Sequence, residues 1–145
     1  MPEPGGRVRA RVVRPPKDTV TFTAPARANH CSGGGVLLRG ATGGNGVVVW
    51  LRTPDSVGAG PWPLLQRGDT VSPRGGTVGV RFMIGDVAYG STLDSGRVVV
   101  ARAGGAPSVE ASGTALQGAA GRVAVAATFD SVPLGPDTVS CKPQP

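Results

Sequence analysis

Residues 35–54 read GVLLRGATGGNGVVVWLRTP, and this stretch decides the fold class. Two short apolar runs, Val36–Leu38 and Val47–Leu51, flank a loop that carries Gly40, Gly43, Gly44, Asn45 and Gly46. Short β-branched runs bounded by Gly and Asn predict two strands joined as a hairpin. The density of apolar bulk in Val47–Leu51 predicts a central strand covered on both faces.

Outward from this hairpin the same grammar repeats. Gly6–Arg14 (GRVRARVVR) has period two: Arg7, Arg9 and Arg11 on one side, Val8, Ala10 and Val12 on the other. Such alternation predicts a half-buried strand with an outward arginine row. Its alternative is a disordered basic tail, since Pro15-Pro16 ends any strand there and separates it from the next one. Thr19–Thr23 alternates with Val20 and Phe22 inward, and Pro25 is expected to interrupt it. Residues 53–76 read mostly as loop, with Trp62-Pro63-Leu64-Leu65 as an apolar plug over an open edge of the core. Thr77–Ile84 places Val78, Val80, Phe82 and Ile84 on one face and Thr77, Gly79, Arg81 and Met83 on the other. Further strands are expected near 87–89, 94–102, 108–115, 122–129 and 137–141. Thr114–Ala120 is the one segment in which a turn of helix is expected.

The chain therefore predicts an all-β domain, an antiparallel β-sandwich of about 8–10 short strands by this reading of its periodicity, with a partly closed β-barrel as the alternative. Its expected organisation is a basic N-terminal arm or extra edge strand over 1–18, one β-sandwich domain over 19–141, and a polar tail over 142–145. Gly and Pro number 24 and 14 among 145 residues, close to a disordered composition. The regular alternation argues for folding nonetheless.

The net charge is +6, and 13 of the 15 basic residues are Arg. Half of that excess lies in residues 1–18, so the body is only mildly basic, and a nucleic-acid partner is not expected. Cys31 and Cys141 are the only cysteines. An even number, a wide separation and the absence of C-x-x-C point to one structural disulfide; two buried free thiols are the other reading. No apolar h-region and no 18-residue apolar stretch occurs, so no membrane span is expected. The disulfide reading favours a mature extracytoplasmic chain, in the periplasm, at the cell surface or secreted.

Chemistry is sparse. His30 is the only histidine, and beside Cys31 on a strand the two side chains point to opposite faces. The nine acids are scattered singly, and no zinc or calcium spacing occurs. Neither Gly-rich run ends in G-K-[ST], so both are turns and not phosphate loops. No catalytic residue, metal site or cofactor is expected.

The Cys before the first long hairpin, P-D-S-V…G-P-W-P-L at 54–64, D-S-G-R-V-V-V at 94–100 and F-D-S-V-P at 129–133 form an arrangement that resembles uncharacterised secreted or envelope β-sandwich proteins of GC-rich bacteria. It covers most of residues 19–141 and implies no activity and no functional residue.

Two functions are expected. The first is a non-catalytic structural, assembly or protein-binding module, in which the arm Arg7, Val8, Arg9, Ala10, Arg11, Val12 adds as a strand to a sheet edge. That edge is either its own or one belonging to another copy or another envelope or surface protein. The alternative is a small-ligand or carbohydrate-binding domain that uses the 53–76 loop, with Trp62, Leu64 and Arg67 at its mouth.

Overall fold

The computed structural model describes residues 6–116 and 121–141, and the tail 142–145 lies outside them. Eleven strands form one sheet: β1 (Gly6–Arg14), β2 (Asp18–Cys31), β3 (Val36–Thr42), β4 (Asn45–Arg52), β5 (Gly60–Trp62), β6 (Gly75–Ile84), β7 (Val87–Thr92), β8 (Ser95–Arg102), β9 (Ser108–Leu116), β10 (Arg122–Asp130) and β11 (Leu134–Val139). The order is β5-β8-β9-β10-β1-β2-β3-β4-β6-β7, with β11 beside β2. Every pairing is antiparallel except β11 with β2. The all-β class is as the periodicity predicts, and the sheet is not closed into a barrel.

The β3–β4 hairpin turns at Gly43-Gly44, both at positive φ (56° and 85°), and closes on Thr42 paired with Asn45. Two successive positive φ values match the twist of the flanking strands, and glycine adopts them without strain. Along β4, Val47, Val49 and Leu51 are buried while Val48, Trp50 and Arg52 alternate outward. The expectation that both faces of this strand are covered is therefore wrong. A run of five apolar residues reports bulk, and only its neighbours decide whether the second face has a cover.

The sheet folds back on itself around one core. Val8, Val12, Leu38, Val49, Leu51, Val78, Phe82, Val98, Val109, Val123 and Phe129 are all fully buried in it. The two ends of the sheet meet across that core: a Cβ on Gly76 of β6 would stand 3.1 Å from Val98 of β8. At the far end of the core Phe82 stacks on Tyr89 at 5.5 Å, and the Arg14 guanidinium lies 4.5 Å from the Tyr89 centroid.

β1 is neither an arm nor an edge strand. It pairs with β10 on one side and β2 on the other along its length, with Val8 and Val12 fully buried. Period-two alternation identifies a buried face but carries no information on how many neighbours a strand has. Residues 1–5 of the expected arm lie outside the described residues. Past the first residue of β1, Gly6 opposite Ala26, β11 lies beside β2, pairing Leu134 with Ala28 and Val139 with Cys31. The Cys31–Cys141 disulfide fastens that junction, with Cα atoms 5.5 Å apart.

Three local expectations also change. β2 runs through Pro25, which lies one residue outside the β2–β3 ladder that begins at Ala26–Gly40, so its missing N–H costs no pairing there. Thr114–Leu116 continue β9, and residues 117–120 of the expected helical turn lie outside the described residues. Within the 53–76 loop, Gly60–Trp62 forms β5 against β8, and Leu64 makes an isolated parallel bridge to Gly76.

Candidate binding face

Trp62 is not at the mouth of a site. Only 3% of it is exposed, its Nε1 donates to Gly58 O at 3.1 Å, and the Arg74 guanidinium caps its ring at 4.0 Å. Leu64 is half-buried against the core, and Leu65 N donates to Gly76 O at 2.7 Å. Trp62 and Leu64 thus plug the gap between β6 and β8, a place where an exposed indole would leave the core open to water. Arg67 is separated from them and stands on the wall of a groove on the other face of β4.

That groove is built on the outward residues of β4. Val48 is paired with Arg39 of β3 on one side and Gly79 of β6 on the other; Trp50 is paired with Leu37 and Thr77. Gly79 presents no side chain, and a Cβ there would come within 3.2 Å of Val48 Cγ1. The missing side chain leaves Val48 38% exposed at the floor of a groove of about 980 Å³. That volume is at the upper end of the size range of ligand sites. Arg27, opposite Arg39, and Arg81, opposite Gly46, stand along its rim.

The wall is the turn at residues 66–72, held from within. Asp69 Oδ1 accepts from Val71 N and Ser72 N, both at 2.9 Å, and Oδ2 accepts from the Ser72 hydroxyl at 2.6 Å. Arg52 ties the turn to β4: its Nη1 donates to Asp69 O at 2.7 Å and its Nη2 lies 3.4 Å from Asp69 Oδ1. The same guanidinium lies 5.2 Å from the Trp50 ring centroid. Trp50 is thus half-buried below Arg52, and its Nε1 has no partner among the described residues.

The Ser72 hydroxyl, then the Ser72 and Val71 amides, hold the Asp69 carboxyl at about 2, below the ordinary 3.8, with Arg52 adding to the effect and partial burial opposing it. A depressed folded-state pKa stabilises the turn above pH 3.8 and loses that contribution as pH falls through about 2. Acidification from pH 4 to 2 is expected to release the wall in the wild type. Asp69→Asn should remove this acid limb from amide hydrogen exchange at residues 66–72.

A second depression, of about 570 Å³, lies on the same outward surface where β10, β1 and β2 adjoin. Arg9 stands between Thr23 and Thr128, and Arg11 between Thr21 and Ala126. Arg7 is opposite Pro25, which also borders the first groove.

Cys31 is committed to its disulfide and is no nucleophile, while His30 is exposed at the end of β2. Among the described residues no cluster of His, Cys, Asp or Glu could hold a metal ion. Among the same residues, no helix is long and apolar enough to cross a membrane. No protein-family model, curated protein or solved structure matches this chain.

Val48, Trp50, Arg27 and Arg39 do not stand out as a set in the amino-acid sequence. A signal was present: each lies at an alternate position to a buried residue, so all four belong to outward faces. What brings them together is the strand order β2-β3-β4-β6, which alternation does not encode.

Proposed function

We propose that this chain is a non-catalytic extracytoplasmic β-sandwich that binds an oligosaccharide in the groove over β3, β4 and β6. The observation that carries this reading is the floor of Val48, Trp50 and Gly79, an apolar strip with a half-buried indole, beneath a rim of guanidinium groups. An apolar floor accepts the flat face of a sugar ring, and arginine forks donate to hydroxyl and carboxylate oxygens. Asp69, the only carboxylate lining the groove among the described residues, has its oxygens occupied by the turn and Arg52, which supports binding over acid–base chemistry. The disulfide supports an oxidising compartment.

Addition of residues 7–12 to a sheet of another copy or another protein has less support, because β1 pairs with β10 and β2 within the chain's own sheet. The 53–76 loop contributes through Arg67 and the turn around Asp69.

Isothermal titration with neutral tetrasaccharides (cellotetraose, maltotetraose, chitotetraose) and with tetragalacturonate tests the reading. At least one should bind, and Trp50→Ala should weaken that binding at least tenfold with little change in melting temperature. Trp62→Ala should instead lower stability by about 3–5 kcal/mol, the usual cost of emptying a large aromatic site. Equal binding by wild type and Trp50→Ala, or no binding of any probe at millimolar concentration, contradicts it.

A further inference from the structure

The outward face of the sheet carries more arginine than a groove for one small sugar requires. From β1 to β6 the outward positions hold Arg7, Arg9 and Arg11, then Arg27, Arg39 and Arg81. All six are exposed, and none forms an ion pair with an acid among the described residues. Asp130, opposite Arg7, is the one acid that directly faces any of the six across a strand pair.

The arrangement is continuous. Arg7, Arg9 and Arg11 repeat every second residue, about 6.7 Å apart along β1. Arg7 is opposite Pro25, Arg27 comes two residues along on the same face of β2, and Arg39 is opposite Arg27 on β3. Two depressions lie on this track, one between Arg9 and Arg11 and the other beside Arg27, Arg39 and Arg81. Unpaired like charges on one face cost stability through repulsion, and an anionic partner removes that cost.

We propose that the ligand is an acidic polysaccharide, a carboxylated glycan chain that lies in the β4 groove and continues across β1 past Arg7, Arg9 and Arg11. This rests on the groove's being an oligosaccharide site. Guanidinium forks match carboxylates in bidentate geometry, and the threonine hydroxyls flanking Arg9 and Arg11 pair with sugar hydroxyls. A nucleic-acid strand fits less well. Single-strand sites stack bases on successive aromatics, whereas the groove offers only Trp50, half-buried under Arg52.

The test uses the full chain with its disulfide intact and compares polygalacturonate, tetragalacturonate, a dT20 oligonucleotide and poly-glutamate. Wild type should bind polygalacturonate at least tenfold more tightly than tetragalacturonate, with an affinity that falls steeply with salt. The triple variant Arg7→Gln, Arg9→Gln, Arg11→Gln should lose that tenfold gain and flatten the salt dependence, while tetragalacturonate binds as before. The matching triple Lys variant should keep most of the gain.

Unchanged polygalacturonate affinity in the Gln variant overturns the proposal. So does binding of dT20 or poly-glutamate within threefold of polygalacturonate, since the face would then select charge alone. If a neutral tetrasaccharide binds in a Trp50-dependent way and the galacturonates do not, this proposal fails and the oligosaccharide site stands. If no saccharide binds, both fail.

Discussion

Deletion of residues 1–16 is expected to abolish cooperative folding. β1 joins the half of the sheet that carries β8, β9 and β10 to the half that carries β2, β3, β4 and β6. Its removal strips both ladders, leaves β10 and β2 with bare edges, and takes Val8, Ala10 and Val12 out of the core. Two buried valines alone contribute about 3–6 kcal/mol, a large fraction of the ~5–15 kcal/mol that holds a typical domain together. The truncated chain should give no thermal transition by circular dichroism and should expose apolar surface to a fluorescent dye. A truncated protein that melts within a few degrees of the full chain would return β1 to the status of a dispensable arm.

The second large effect is expected from the disulfide. Cys31 and Cys141 are 110 residues apart, so the bond restricts nearly the whole domain in the unfolded state. In the chain-entropy treatment a loop of that size is worth about 4–5 kcal/mol. The bond also fixes β11 in the place beside β2 that β1 leaves vacant beyond Ala26. Cys31→Ser with Cys141→Ser, or reduction of the wild type, should lower the melting temperature by roughly 15 °C for a domain of this size. Chemical denaturation with and without reductant measures the same quantity. A loss below about 1 kcal/mol would mean that β11 and its ladder to β2 hold the unit without the bond.

Period-two alternation makes most of the architecture readable in the amino-acid sequence. It identifies the inward residues of β1, β6 and β10, and Gly43-Gly44 marks the β3–β4 turn. It separates Arg7, Arg9 and Arg11 from Val8, Ala10 and Val12. Neighbours are what it leaves out. β1 reads as peripheral because two prolines come after it, yet those prolines belong to the turn that returns the chain as β2.

The candidate site was hidden for a related reason. Trp62, between two prolines, reads either as a plug over the core, which it is, or as a ligand contact at the mouth of a loop, and Trp50, within an apolar run, reads as core. Burial depends on what lies opposite each indole. β8 and the Arg74 guanidinium cover Trp62, whereas Gly79 beside Val48 leaves the outer face of β4 open. A glycine in an outward position of a central strand is the local mark of that opening, and Thr77–Ile84 carries it at Gly79.

The two indole N–H groups supply the most direct measurement. Trp62 Nε1 is bonded to Gly58 O, while Trp50 Nε1 is buried without a partner among the described residues, on a side chain that lines the groove. A nitrogen–proton correlation spectrum of the folded protein therefore has two indole signals with different environments. Titration with tetragalacturonate should move the Trp50 signal saturably and leave the Trp62 signal in place. A Trp50 signal that stays fixed at millimolar ligand, or equal movement of both signals, would contradict a saccharide site on this face.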